Sequence, residues 1–463
     1  MSRPPVIILG AGCAGLSAAW RLRSKGREVL LVEAEGHAGG LAGGIRIEGN
    51  TYEYGPHIFH TTDPEILADI KSIMGAELLP YHRTIQIKFL GNYFQFPLSM
   101  KDVLLKLPPA TVLKAGLSFV YRFAEGALRR PAEENSETVL KRYYGDVLYK
   151  LFFKDYIERV WGVPPSAFSP AFARERIPRL NILEWADALA ARLGRLFRRK
   201  KIQTSGYVEK VSGALYTTRR GFSLITEKMA ERLTQSGAEM ALNTEALKIH
   251  REGDKAVAVT VKGPQGERRL DCSAVINTLA INEAALMFEP GLGEATNAAA
   301  RRLRFRSIVF VGLKVRRSKV LPASFMYFRE HSFNRITDLS HFAFKIEPPT
   351  STLLVAEVTC DAGDAIWSDE NLVKERVIAD LERENILSRE EIEETHIFRA
   401  RHAQPMYTLG YEQTLASLLA AFEGLGNVET CGRQGRFQYV NTHVAMKMGY
   451  EAADRLLSRL AEK

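Results

Sequence analysis

Cysteine is scarce in this chain. Four residues among 463, Cys13, Cys272, Cys360 and Cys431, are scattered without the spacing of a metal site. Their scatter argues against a disulfide framework and against a zinc or iron–sulfur cluster, and it points to a reducing compartment. Long apolar runs are missing too, so no segment reads as a bilayer-spanning helix. Met1-Ser2-Arg3 leads directly into an apolar stretch with no leader pattern, and a cytoplasmic location is expected. There is no Ser-His-Asp arrangement, no pair of acids spaced for acid–base work, no internal repeat, no low-complexity linker and no nucleic-acid motif. What remains is 46% hydrophobic and 25% charged, the make-up of a globular enzyme. The length asks for two lobes rather than one core. A net charge of +9 suits an anionic small substrate or an acidic membrane surface.

The most informative stretch runs from Val6 to Leu41. Val6-Ile7-Ile8-Leu9 reads as a buried strand, Gly10-Ala11-Gly12-Cys13-Ala14-Gly15 as a tight turn into a helix, and Val29 to Val32 as a second strand ending on Glu33. Strand, glycine turn, helix, strand and acid in this order make a dinucleotide-binding unit. Gly10 permits the turn, Gly12 lets backbone amides approach a pyrophosphate, and Gly15 lets the helix pack close to the sheet. The helix N-terminus offers open N–H groups and the positive end of its dipole. Glu33 is placed to accept hydrogen bonds from an adenosine ribose. Ala34 follows it, and then a second glycine pair, Gly39-Gly40, with Leu41. This extension resembles the FAD signature of amine oxidase and protoporphyrinogen oxidase flavoproteins, and FAD is preferred to NAD.

Beyond this unit, Gly43 to Ile47 and Thr51 to Tyr54 read as a hairpin. Gly55-Pro56-His57-Ile58-Phe59-His60-Thr61 is a second glycine-rich turn from which two histidines emerge. Residues from about 90 to 205 change to helical patterns over 101–128, 136–161 and 181–199. Trp161-Gly162 ends one of these before Pro164-Pro165, and Arg174-Glu175-Arg176-Ile177-Pro178 follows. Aromatic and arginine side chains grouped this way suit a sugar or base plus a phosphate; Trp161 as core and the arginines as a solvated face is the alternative. The basic run 192–201 after Trp185 offers peripheral contact with the inner face of a membrane, or simply a solvated helix end. Strand patterns return near 241–261 and 274–277, and again across 305–360, before a helix from Val444 to Leu460.

Taken together, these residues resemble the UDP-galactopyranose mutase family within the wider amine oxidase and protoporphyrinogen oxidase-like group. The resemblance rests on Gly10, Gly12 and Gly15, on Glu33 with Gly39-Gly40, and on the His57-Ile58-Phe59-His60-Thr61 run. It also includes Tyr156, Trp161-Gly162, Arg176-Ile177-Pro178, Asn334-Arg335-Ile336, and Gly432-Arg433 with Tyr439. It implies an α/β fold: a Rossmann-like FAD-binding domain of the GR2 type, an inserted helical lobe, and a second mixed or antiparallel sheet forming the substrate domain. The expected divisions are 1–90, 205–300 and 390–463 for the discontinuous FAD-binding domain, 91–204 for the helical lobe and 301–389 for the substrate sheet.

By the same resemblance, Arg176 and Arg335 would flank the diphosphate of a nucleotide sugar, Tyr439 would donate to it, and Tyr156 and Trp161 would line the cavity. Arg433 would sit by the flavin, with His57 and His60 on the loop against its ring. Cys13, Ala14, Ala34, Leu41, Gly55, Pro56, Leu247 and Asn441 complete the expected cofactor set; Asn441 stands where mutases carry an acid. The implied reaction is pyranose–furanose isomerisation through an adduct at N5 of reduced flavin, with NAD(P)H as a candidate reductant and cell-surface polysaccharide synthesis as its setting. Two other readings stay open: a conventional FAD oxidoreductase of amine oxidase, protoporphyrinogen oxidase or desaturase type acting on a small or lipid-linked substrate, and a non-catalytic FAD-binding scaffold.

Overall fold

The computed structural model describes residues 4–96, 98, 100–128, 133–177 and 214–461. The expected helix over 181–199, Trp185, the basic run 192–201 and Pro178 lie outside the described residues.

Three short apolar elements seed the nucleotide-binding lobe. β1 (Val6–Leu9) and β2 (Val29–Val32) are buried along their whole length, as strands covered on both faces must be, and α1 (Cys13–Ser24) crosses between them. They form the middle of a five-stranded parallel sheet in the order Val428–Thr430, Ala274–Asn277, β1, β2, Glu239–Ala241. Val6 pairs with Ala274 on one side and Val29 on the other. The C-terminal helix Thr442–Ala461 packs on α1. The hairpin expected after the first unit is present as Gly44–Ile47 and Asn50–Glu53.

A second, seven-stranded sheet has the long strand Phe305–Val315 flanked by Thr352–Cys360 and Ile392–Pro405, both antiparallel to it. The order continues through Arg335–Asp338 and Phe325–Phe328 to Ile85–Phe89 and Asn92–Gln95. The expected divisions at 90 and 390 therefore cut through this sheet. Residues 92–95, expected to open a helical region, form an edge strand instead, because Phe94 is buried against Phe89 and Phe152. Ile85–Phe89 joins through parallel pairing with Phe325–Phe328, a partner more than two hundred residues away that no local pattern announces.

The helical layer consists of Met100–Lys106, Pro109–Leu128, Ser136–Tyr149, a π-helical turn Lys150–Lys154, Asp155–Trp161 and Pro170–Arg176. Asn135 caps the third of these reciprocally with Thr138. Gly162, in the left-handed region at φ 72°, stops the helix that ends on Trp161. The four cysteines are free and buried. Among the described residues no helix is long and apolar enough to cross a membrane.

Candidate active site

The crevice at the carboxyl ends of the parallel strands is built by the turn after β1. Gly10 has φ +97°, and a Cβ there would meet Thr278 Oγ1 at 2.5 Å. Gly12 caps α1 without a side chain, so the first-turn amides of the helix are left open for an anion. The second glycine pair is tied to this turn, because Gly39 N donates to Ala11 O at 2.9 Å. Glu33 is buried at the end of β2, where Oε2 accepts from Ala11 N (2.8 Å) and Oε1 from Glu35 N (3.0 Å). Gly10, Gly12, Cys13, Ala14, Glu33, Ala34, Gly39, Gly40, Leu41, His57 and Arg433 all line this crevice.

Three expected cofactor residues, Gly15, Gly55 and Leu247, line neither this crevice nor the smaller cavity that continues it. An added Cβ on Gly15 would meet Gly10 O at 2.0 Å, so Gly15 serves the close approach of helix and turn. Gly55 packs its Cα side against Glu357. Leu247 is displaced by a bulge between Ala246 and Lys248, which leaves Thr244, Glu245 and Ala246 on the crevice. Pro56, His60 and Asn441 line a smaller cavity that continues the crevice through His57, Arg433 and Val440. His60 is buried there, its ring 4.4 Å from that of His443. Burial pushes the imidazole of His57 down to about 3, with Arg335 and Arg433 adding to the effect, so it is neutral at physiological pH.

That smaller cavity opens in turn, past Arg335, Glu357, Gln404 and Tyr439, into a larger one enclosed by the helical layer and the seven-stranded sheet. Trp161, Tyr156 and Arg176 line it. Trp161 serves as core and as cavity wall together: it is buried, edge-on to Phe168 and Phe172, with one face under Arg176. Tyr156 has its hydroxyl pushed up to about 12 by burial. The ring of Tyr439 meets two guanidinium groups, Arg176 at 4.1 Å and Arg433 at 4.2 Å from its centroid. Arg176 Nη2 donates to Pro405 O at 2.9 Å, and Tyr407 accepts from Tyr439 N at 2.9 Å. These bonds fix the stack.

Arg335 is committed to a partner that the sequence did not nominate. Nε and Nη2 donate to Glu357 Oε1 and Oε2 at 2.6 and 2.9 Å, and Glu357 is 1% exposed. The signal was available: a single acid in the apolar run Thr352-Leu353-Leu354-Val355-Ala356-Glu357-Val358. Arg329, a further cavity residue, was also missed. The described residues hold no group of three or more histidines, cysteines or acids able to bind a metal.

The sequence profile of the family "Flavin containing amine oxidoreductase" matches residues 13–457. The chain belongs to this family. It is a flavoenzyme, its cofactor is FAD, and the open amides of α1 with Glu33 fit the pyrophosphate and ribose of that group. The chain is 26% identical over 181 residues to the "Probable UDP-galactopyranose mutase" of Klebsiella pneumoniae, covering 38% of this chain and 46% of that protein. It is 24% identical over 176 residues to the dTDP-fucopyranose mutase of Escherichia coli, covering 37% and 45%. The chain thus spans less than half the length of these relatives. A crystal structure of reduced UDP-galactopyranose mutase superposes with a TM-score of 0.81 at 20% identity, covering 99% of this chain and 94% of that one, which shows the shared fold.

Proposed function

We propose that the chain is a flavin-dependent mutase that interconverts the pyranose and furanose rings of a nucleotide-diphosphate sugar. The observation that carries this reading is the Arg176–Tyr439–Arg433 stack beside Arg335, set where the flavin crevice meets the larger cavity. Reduced flavin, when bound, supplies an electron-rich ring atom able to make and break a bond to an anomeric carbon. The chain's own residues do the rest. Arg176 and Arg335 bind and stabilise a departing diphosphate, whose charge grows as the sugar–oxygen bond breaks. The Tyr439 hydroxyl orients the same group. Trp161 and Tyr156 wall the cavity and exclude water, and neutral His57 adds no charge beside the ring. The likeness to two sugar mutases supports the reaction class.

The test is to follow ring interconversion of UDP- and dTDP-hexoses by chromatography. Activity is expected only after the flavin is reduced, without net consumption of reductant. Steady oxygen uptake with an amine or a polyene, and no sugar interconversion, overturns the reading. A conventional FAD oxidoreductase is the second reading, favoured by the apolar wall of the larger cavity, where Ile87, Phe96, Phe152, Ile157 and Val160 stand.

A further inference from the structure

The wall of the larger cavity that the smaller one does not share is mostly aromatic and apolar, and its polar members are Arg176, Asn334 and Arg329. Arg329 follows the strand Phe325–Phe328 and lines the larger cavity, but not the smaller one that leads to the flavin. Its side chain is 9% exposed. The guanidinium lies 4.5 Å over the ring of Phe89. Nη2 reaches the Lys150 carbonyl and Asp155 Oδ2, both at the long distance of 3.4 Å. Nε and Nη1 are buried and have no partner, and among the described residues no other arginine has two such nitrogens. Burial, with the like charge of Arg159 adding to it, pulls its pKa below the ordinary arginine value, which Asp155 and Glu330 only partly oppose.

A buried cation with two open donors is costly unless something meets it. The nearby carboxylates do so only in part, since Asp155 pairs with Nη2 at 3.4 Å and Nε and Nη1 stay open. Asp155 sits largely in solvent at 73% exposure, and Glu357 is held by both nitrogens of Arg335. We propose that Arg329 is a further oxyanion-binding residue of the substrate cavity, beside Arg176 and Arg335, receiving a phosphate of the ligand on the wall away from the flavin. This deepens the nucleotide-diphosphate reading and rests on it for the identity of the ligand, though not for the anion itself. The diphosphate has two sources compatible with such a wall: a nucleoside diphosphate, whose base would stack on the aromatic side chains, and a prenyl diphosphate, whose tail would bury against Ile87, Phe96 and Leu98.

The test measures dissociation constants of UDP, farnesyl diphosphate and inorganic pyrophosphate for the FAD-loaded protein, through the perturbation of flavin absorbance and by calorimetry. Arg329→Met is expected to weaken pyrophosphate and whichever ester binds by about ten- to a hundredfold, the value of charge-assisted hydrogen bonds. The salt dependence of binding should flatten with it, and Arg329→Lys should recover part of the loss. The ester that responds identifies the source. Unchanged constants for all three ligands overturn the proposal. So does a uniform loss in both variants that tracks lower flavin content and melting temperature with the salt dependence intact, because that is the mark of a merely structural staple. If UDP does not bind but pyrophosphate does, and Arg329→Met abolishes it, the nucleotide-sugar reading fails while this proposal stands. If UDP binds wild type and Arg329→Met equally, and farnesyl diphosphate and pyrophosphate are unaffected too, the outcome is the reverse.

Discussion

Arg335 and Glu357 stand in register on adjacent antiparallel strands, and the pair bears on stability and on ligand binding in separable ways. Glu357 is 1% exposed, and burial raises its carboxyl pKa against the opposing pull of Arg335. Burial also works against the charge of Arg335, but Glu357, with Tyr327 and Tyr439, more than offsets this and the guanidinium keeps its proton. Replacing Arg335 by Met strands the acid in the core. Removing one member of a buried pair costs about 3–5 kcal/mol. For a chain of 463 residues the unfolding entropy is about 1 kcal/mol per kelvin, so the melting temperature should fall by about 3–5 °C. The double variant Arg335→Met/Glu357→Met removes both charges and should recover most of that loss, since apolar replacement of a whole buried pair is often neutral. UDP binding should behave otherwise: weakened in the single variant and equally weak in the double one, because the guanidinium is absent from both. Calorimetric melting and flavin-perturbation titration measure the two quantities on the same samples. A double variant as unstable as the single one would refute the pairing energetics. Recovered UDP affinity in the double variant would remove Arg335 from the binding site.

The helix–turn contact at Gly15 leaves no room for a methyl group, so Gly15→Ala should yield protein that lacks flavin absorbance after purification. Glu33→Gln forfeits charge-assisted bonds from the amides of Ala11 and Glu35; flavin affinity, read by fluorescence on titration of the apoprotein, should drop by about tenfold or more. Glu53 is buried, its carboxyl raised to about 8 by burial, so the folded state holds a proton that the unfolded chain releases. Stability from this group is full below its ordinary pKa and is lost as pH rises toward 8; Glu53→Gln should flatten that decline in denaturant titrations. His57 works in the opposite sense, since its value of about 3 means that the unfolded chain takes up the proton first as pH falls below 6.5. His57→Gln should therefore reduce the acid-side loss of stability between pH 6.5 and 3.

The dinucleotide unit was legible because everything that defines it lies within a few dozen residues. β1, the glycine turn, α1 and β2 report their own conformations, and Glu33 is placed by the strand that precedes it. The hairpin Gly44–Ile47/Asn50–Glu53 and the end of the helix at Trp161 were legible for the same reason. The seven-stranded sheet was only partly so. Its strands Ile85–Phe89 and Ile392–Pro405 pair with segments far away in the chain, and periodicity indicates that a segment is a strand but not which edge accepts it. Leu247 failed through a bulge, a one-residue irregularity that reverses which side chains face a cavity.

The substrate cavity divides along the same line. Arg176 was singled out by its grouping with aromatic residues and by the Arg176-Ile177-Pro178 resemblance, yet what it does depends on Tyr439, Trp161, Tyr407 and the Pro405 carbonyl, which come from other elements. Four aromatic rings, those of Trp161, Phe172, Tyr407 and Tyr439, lie within 5.3 Å of its guanidinium carbon, and Nη2 is spent on the Pro405 carbonyl. Arg433 lies 4.2 Å from the centroid of the same Tyr439 ring. Glu357, by contrast, satisfies one edge of Arg335. A sequence can nominate three arginines, but it cannot say that two of them meet the ring of Tyr439 and that the third is bound along one edge by a buried carboxylate. Those neighbours set which donors each arginine keeps for a ligand, and so they decide whether three cations make one diphosphate site or merely a positive patch.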